Sequence, residues 1–293
     1  EKKVSKEDAP TFFPRIYEDQ VGEGINNYDL IKKEVYIDDC YRIGEMAFDR
    51  LPEYIVDIGA NVGWFSLLAA EKFPKAEIYS YELMDKYYAA CHNNLKQHEN
   101  VHVYNKAVIG KNKITAICEP TMENIGACKA IYAGSGSYIS EGHAQFRDWA
   151  TPEMQEKFLD MSEMPVEQIS LEEIILENNI DYIDILKVDI EGGEYEVLSH
   201  VLELNLDKKI LNLVMELHGV TSPECPILVE ELKNRFDSCV LRGDKIPVWP
   251  YEEHKKTHSL VICKNNRQNF RKEEEMSNFA RAMETKILQR KKR

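Results

Sequence analysis

The alternation of apolar and polar residues is sharpest from Tyr54 to Phe65. Tyr54 to Ile58 is apolar and β-branched apart from Asp57, the composition of a strand covered on both faces in a parallel sheet. Beyond Gly59 and Gly63, Phe65, Leu68, Ala69 and Lys72 fall on one helical stripe, so the period changes from two to 3.6 across the glycines. Ala76 to Glu82 alternates as a second strand, a helix follows over Asp85 to Gln97, and a third strand runs from Val101 to Val108. After a break, Val166 to Ile169 predicts a strand and Leu171 to Leu176 a short helix. Ile183 to Val188 is another buried strand, ending at Asp189 and Gly192-Gly193 before a helix with core positions Leu198, Val201 and Leu202. Ile210 to Val214 leads into Glu216, Leu217 and His218. A helix over Pro223 to Phe236 and strands at Ser238 to Leu241 and Ser259 to Cys263 complete the series. Strands alternating with helices predict an α/β fold, a parallel sheet with helices on both faces.

Residues 1–50 show no long period and predict an N-terminal wrap or cap; the main domain is expected over 51–264. Within it, 118–165 is too long for an ordinary connection and is rich in glycine and aromatics, which suits a lid-like insertion, the alternative being a disordered surface loop. Residues 265–293 form a charged tail, yet Met276, Phe279, Ala280, Met283 and Ile287 keep a helical stripe. That stripe suits docking on the body or on a second subunit of a homo-oligomer.

Composition narrows the partners. The net charge of -14 over 293 residues opposes the phosphate backbone, so no nucleic acid is expected as substrate. No apolar run reaches the length of a membrane span. Seven cysteines, at 40, 91, 118, 128, 225, 239 and 263, include no C-x-x-C pair, which points to reduced core thiols in a cytoplasmic protein.

The glycine turn after Ile58 sits where α/β sheets bind ligands, at the carboxyl end of a strand. Asn61 occupies the place of the second glycine of a dinucleotide fingerprint, and no Gly-Lys-Ser/Thr ending follows, so neither pyrophosphate motif is present. The carboxylate of Asp57 disfavours an anion and favours a sulfonium or an amine. S-adenosylmethionine, which carries both and no phosphate, suits this turn better, the alternatives being a different nucleotide or a purely structural turn. Glu82, about 20 residues beyond the glycines, has the spacing of an acid that binds ribose hydroxyls, its alternative being a helix-entry acid. Asn105, Lys106 and Ala107 lie at a strand end suited to adenine. Asp57, Asp189 and the pair Glu216 and His218 should converge on one crevice.

These residues carry a resemblance. The turn D-I-G-A-N-V-G-W-F-S, the pair Tyr81-Glu82, the segment L-K-V-D-I-E-G-G-E-Y-E-V-L and the strand end E-L-H resemble the FkbM-type methyltransferase family, over roughly Leu51 to Lys264. Leu83 departs from the proline that the family commonly has after the acid. The resemblance implies a Rossmann-like class I methyltransferase fold, with a seven-stranded, mostly parallel sheet ending in an antiparallel hairpin. It also implies O-methylation of a sugar, polysaccharide or other hydroxylated small molecule. By position, Asp57, Gly59, Asn61, Gly63 and Trp64 belong to the cofactor cradle, Glu82 to ribose, Asn105 and Ala107 to adenine, and Asp189 to the meeting point of cofactor and acceptor. His218 is the candidate general base, with Asp189 or Glu216 to orient it, and the three also form a donor set for a divalent metal. His143, in the insertion, is a reserve base. A non-catalytic S-adenosylmethionine-binding module and an N-methyltransferase are the alternatives; against the latter, Asp189 lacks the Pro-Pro-aromatic ending of such enzymes.

Overall fold

The computed structural model of the chain describes residues 31–118, 129–132, 166–218, 224–242 and 258–265. Residues 1–30, most of the lid-like insertion with His143, and the C-terminal stripe lie outside them. A π-helical turn (Lys32–Ile37) and a 3-10 turn (Ile43–Glu45) precede β1 (Tyr54–Ile58), α1 (Trp64–Lys72), β2 (Glu77–Tyr81), α2 (Asp85–Leu95) and β3 (Val101–Tyr104). Then come β4 (Ala107–Ile109), β5 (Ile114–Cys118), β6 (Lys129–Tyr132), β7 (Gln168–Ser170) and α3 (Leu171–Glu177). The chain continues through β8 (Ile185–Val188), α4 (Glu194–Glu203), β9 (Asn212–His218), α5 (Glu224–Arg235), β10 (Ser238–Arg242) and β11 (His258–Lys264).

Seven strands form one sheet in the order β10-β11-β9-β8-β1-β2-β3. β11 runs antiparallel to both its neighbours, and the other pairings are parallel. This is the class I, Rossmann-like arrangement with its terminal hairpin. The chain winds outward from β1 through β2 to β3 and returns to β8 on the other side of β1, so the order reverses between β1 and β8. A crevice opens at such a reversal, at the carboxyl ends of the strands.

Strand residues alternate between two cores. Val56 and Ile58 pack with Ile174, Leu198, Val201, Leu228 and Leu232 of α3, α4 and α5. Ile55 faces the other way, into a core with Phe65 and Leu68 of α1. α1 is not the one-sided helix its stripe suggested, because every residue from Trp64 to Ala70 is buried. A helix apolar all round needs cover on its outer face. The N-terminal segment supplies it: the Tyr36 ring lies 5.6 Å from that of Trp64, and Tyr41 meets Phe65 edge-on at 5.5 Å.

The strand expected over Val101 to Val108 is broken. Asn105 donates its side-chain amide to the carbonyls of Glu82 and Leu83, at 3.2 and 3.1 Å, and this turns the chain off the sheet edge. Ala107–Ile109 then pairs with β7 in a separate two-stranded sheet. Among the described residues, no helix is long and apolar enough to cross a membrane.

The β1 turn and the backbone after β8 touch. Gly59 has φ +81°, and a Cβ on it would lie 1.8 Å from the Asp189 carbonyl oxygen. Backbone on both sides leaves no room to relax. Gly59→Ala is therefore expected to destabilise the fold by at least ~2 kcal/mol, from left-handed strain together with the clash. Urea unfolding monitored by circular dichroism measures it, and a stability equal to wild type would contradict this packing.

Candidate active site

The centre of the crevice is a lysine within an otherwise apolar strand. Lys187 follows Leu186 on β8, in register with Asp57 of β1, and its side chain is only 4% exposed. A buried ammonium needs partners, and here they come from both strand ends. Nζ donates to the Gly59 carbonyl at 2.6 Å, and lies 3.2 Å from Asp57 Oδ1 and 3.8 Å from Asp189 Oδ2. Burial works against the charge on Lys187, yet Asp57 and Asp189 more than offset it and raise its pKa.

Asp57 is fully buried and receives a 2.6 Å hydrogen bond from the Ser66 hydroxyl. Its charge is thus met inside the protein by Lys187 and Ser66. The expectation that Asp57 itself turns a bare carboxylate toward a ligand needs correction, since it braces the turn from behind. The acidic lining of the crevice includes Asp189, whose side chain is 25% exposed.

Glu82 sits at the end of β2 and accepts the backbone N–H of Asn61 at 2.7 Å and of Met84 at 2.8 Å. Burial raises its pKa to about 7, although these two N–H groups pull it down. Asn61 takes a left-handed φ of 52°, and its side-chain oxygen accepts the Val62 N–H. A Cβ on Gly63, at φ +93°, would press on Leu95 and Cys91 of α2. Trp64 is 2% exposed, with Lys32 over its ring, and Ala107 is 3% exposed. Both belong to one buried cluster with Leu67, Tyr87 and Leu95.

The second half of the site surrounds His218, the last residue of β9. Its Nδ1 is 3.1 Å from Oε1 of Glu194, a fully buried carboxylate at the start of α4. Glu194 also accepts the N–H groups of Ile190 and Gly192, both at 2.8 Å, so one side chain sets the loop after β8 and the orientation of the imidazole. The Tyr195 hydroxyl donates to the His218 carbonyl at 2.8 Å. Around Nε2 stand Glu191 at 3.5 Å, and Asp189 and Glu216 at 4.0 Å. Burial disfavours the imidazolium, but Glu191, Glu194 and Glu216 outweigh it and carry the His218 pKa well above its ordinary value. Burial, then Asp189, pushes Glu216 well above the usual carboxylate range.

The N-terminal segment also reaches the crevice. The Tyr41 hydroxyl donates to Asp189 Oδ2 at 2.6 Å. Glu34 has its pKa raised to about 7, by burial first and by Asp189 second. Asp189, Glu194 and His218 each turn a ligand atom to within 4.8 Å of the others, close enough to share one metal ion. In that set Glu194 stands where the sequence suggested Glu216.

The structure therefore gathers Gly59, Asp189, Glu216 and His218 at adjacent strand ends, with Glu82 and Asn61 joined alongside. Sequence reasoning gave no role to Lys187, Glu191, Glu194, Glu34 or Tyr41. Lys187 was detectable, as a charge inside a strand too apolar to tolerate it unpaired. Glu191 and Glu194 lie in the motif itself. Glu34 and Tyr41 carry no local signal, because only the fold brings them to Asp189.

The family profile described as the methyltransferase FkbM domain matches residues 57–240. Among curated proteins, methyltransferase sdnD of Sordaria araneosa is 28% identical over 196 residues, covering 64% of this chain and 73% of that protein. The 31-O-demethyl-FK506 methyltransferase FkbM of Streptomyces tacrolimicus is 24% identical over 201 residues, with 65% and 75% covered. Among solved structures, methyltransferase FkbM from Methylobacillus flagellatus KT aligns with a TM-score of 0.44 and 15% identity, over 75% of this chain and 46% of that one.

Removing the buried cation tests the frame of the site. Lys187→Met leaves Asp57 enclosed without its counter-charge and is expected to cost about 3–5 kcal/mol in chemical denaturation. Adding Asp57→Asn to the same chain should recover part of that loss; equal destabilisation in the single and double variants would refute the pairing.

Proposed function

The chain belongs to the FkbM methyltransferase family, and on that premise we propose that it transfers a methyl group from S-adenosylmethionine to a hydroxyl of a sugar, polysaccharide or other small hydroxylated acceptor. The observation that carries the proposal is His218: an imidazole fixed at Nδ1 by Glu194, with Nε2 directed among the carboxylates at the strand ends.

The residues present fit the cofactor. Close contact of Gly59 with the Asp189 backbone keeps side chains out of the turn, and the carboxylates nearby suit a sulfonium and an amine and oppose a diphosphate. Gly59, Asn61 and Gly63 would shape the methionine side, Asp189 would lie toward the acceptor, and Glu82 would take ribose hydroxyls on lone pairs that Asn61 and Met84 leave over. Asn105 and Ala107 would border the adenine side, Trp64 would support the cradle, and Asp57 would hold the turn in place through Lys187 and Ser66. When bound, the cofactor supplies an electrophilic methyl group on a positively charged sulfur. The protein then has two tasks. Alignment of donor and acceptor contributes up to ~7–11 kcal/mol. A general base at Nε2 of His218, accepting the hydroxyl proton, adds ~10²–10⁴-fold.

Calorimetry should detect binding of S-adenosylmethionine and of its demethylated product, and absence of both would overturn the cofactor assignment. On a panel of sugar alcohols, polyols and amines, turnover is expected on a hydroxyl. His218→Ala should lose ~10²–10⁴-fold in kcat with cofactor affinity retained. Turnover on amines alone, or on nothing, would favour the N-methyl or non-catalytic alternatives.

The pH dependence follows from the raised His218 pKa. The base form of a group with a raised pKa accumulates only as pH climbs, so activity should rise with an acid limb above the 6.5 of an ordinary imidazole. Glu191→Gln removes the strongest charge holding that proton and should move the limb to lower pH.

The proximity of ligand atoms on Asp189, Glu194 and His218 favours a second reading, in which a divalent ion held there acidifies the acceptor hydroxyl. Dialysis against a chelator separates the two: turnover lost and restored by Mg²⁺ or Mn²⁺ selects the metal, and unchanged turnover selects His218 alone.

A further inference from the structure

At the far edge of the sheet, two cysteines face each other. Cys239 of β10 and Cys263 of β11 are direct partners in the antiparallel ladder, and their Sγ atoms are 2.8 Å apart. Cys263 is fully buried, and Cys239 is partly exposed. The pair stands apart from the crevice: Cys263 is opposite Leu213 on β9, five residues before His218, or about 16 Å along a strand. Facing residues of an antiparallel pair have Cα separations of about 4.5–5.5 Å, inside the span that a disulfide accepts.

We propose that Cys239 and Cys263 are a reactive dithiol that closes to a cross-strand disulfide by exchange with a low-molecular-weight disulfide such as oxidised glutathione. Each sulfur has a distinct part. The Cys263 thiol donates its hydrogen bond to Cys239, which lowers the Cys239 pKa and favours its thiolate. Cys239, with the exposed surface, attacks one sulfur of the glutathione disulfide, whose S–S bond breaks and expels one glutathione thiolate. Cys263 then attacks the Cys239 sulfur of the mixed disulfide, and its proton leaves with the second glutathione. Two protein thiols are oxidised and one disulfide is reduced to two thiols, so atoms and electrons balance. The product would staple β10, which among the described residues pairs with one strand, to β11, which is paired in turn to the strand bearing Glu216 and His218.

The test uses the native protein in buffers of graded reduced-to-oxidised glutathione ratio, quenched by alkylation and followed by intact mass and peptide mapping. The expected result is loss of two hydrogens and a cross-linked peptide joining Cys239 to Cys263, reversed by reduced glutathione. Cys263→Ala should retain one glutathione on Cys239. Cys239→Ala should leave Cys263 unreacted while the protein is folded. The proposal is overturned if both thiols are alkylated at every ratio, if wild type stops at the glutathione adduct, or if the cross-link forms only in urea.

Discussion

The ammonium of Lys187 is the interaction on which the rest of the crevice depends. It is enclosed by two carboxylates and a carbonyl from two strands, and it joins the end of β1 to the end of β8 where the winding of the sheet reverses. Without it, Asp57 and Asp189 would repel each other across a low-dielectric gap. With it, the Gly59 turn and the backbone at Asp189 can touch, and Asp189 keeps a partly exposed face. A buried pair of this kind adds little net stability against an apolar substitute. What it provides is a fixed geometry between neighbouring strand ends.

Around this anchor the charges are unequal. Lys187 answers both Asp57 and Asp189, whereas Glu191, Glu194 and Glu216 stand around the single imidazole of His218. Burial first and the Asp189 charge second raise the Glu34 pKa to about 7, while for His218 the neighbouring carboxylates outweigh burial and raise its pKa. Glu194 is the quiet member, fully buried and committed to two backbone N–H groups and one imidazole nitrogen.

Much of the fold was legible in the sequence. Short apolar runs ending in acids and glycines marked β1 and β8, and the alternation of strand and helix marked a parallel sheet; the antiparallel terminal hairpin came from the resemblance. Legibility failed where a neighbour distant in sequence decides the outcome. Nothing local shows that Asn105 will hook onto the end of β2 and divert Ala107 to another sheet. Nothing near Trp64 shows that Tyr36 and Lys32 will cover it. The site divides along the same line: motif residues found their strand ends, while Tyr41 and Glu34 came from a stretch with no readable period.

The Tyr41 hydroxyl bond to Asp189 spans 148 positions of the chain. A ribosome releases Tyr41 long before Asp189 exists, so this corner of the crevice has to wait for its second half to be synthesised. Contacts of such separation close slowly, after the loop entropy between them has been overcome. The nascent β1-α1-β2 unit can acquire its N-terminal cover early, whereas a complete ligand-binding pocket is a late product of translation.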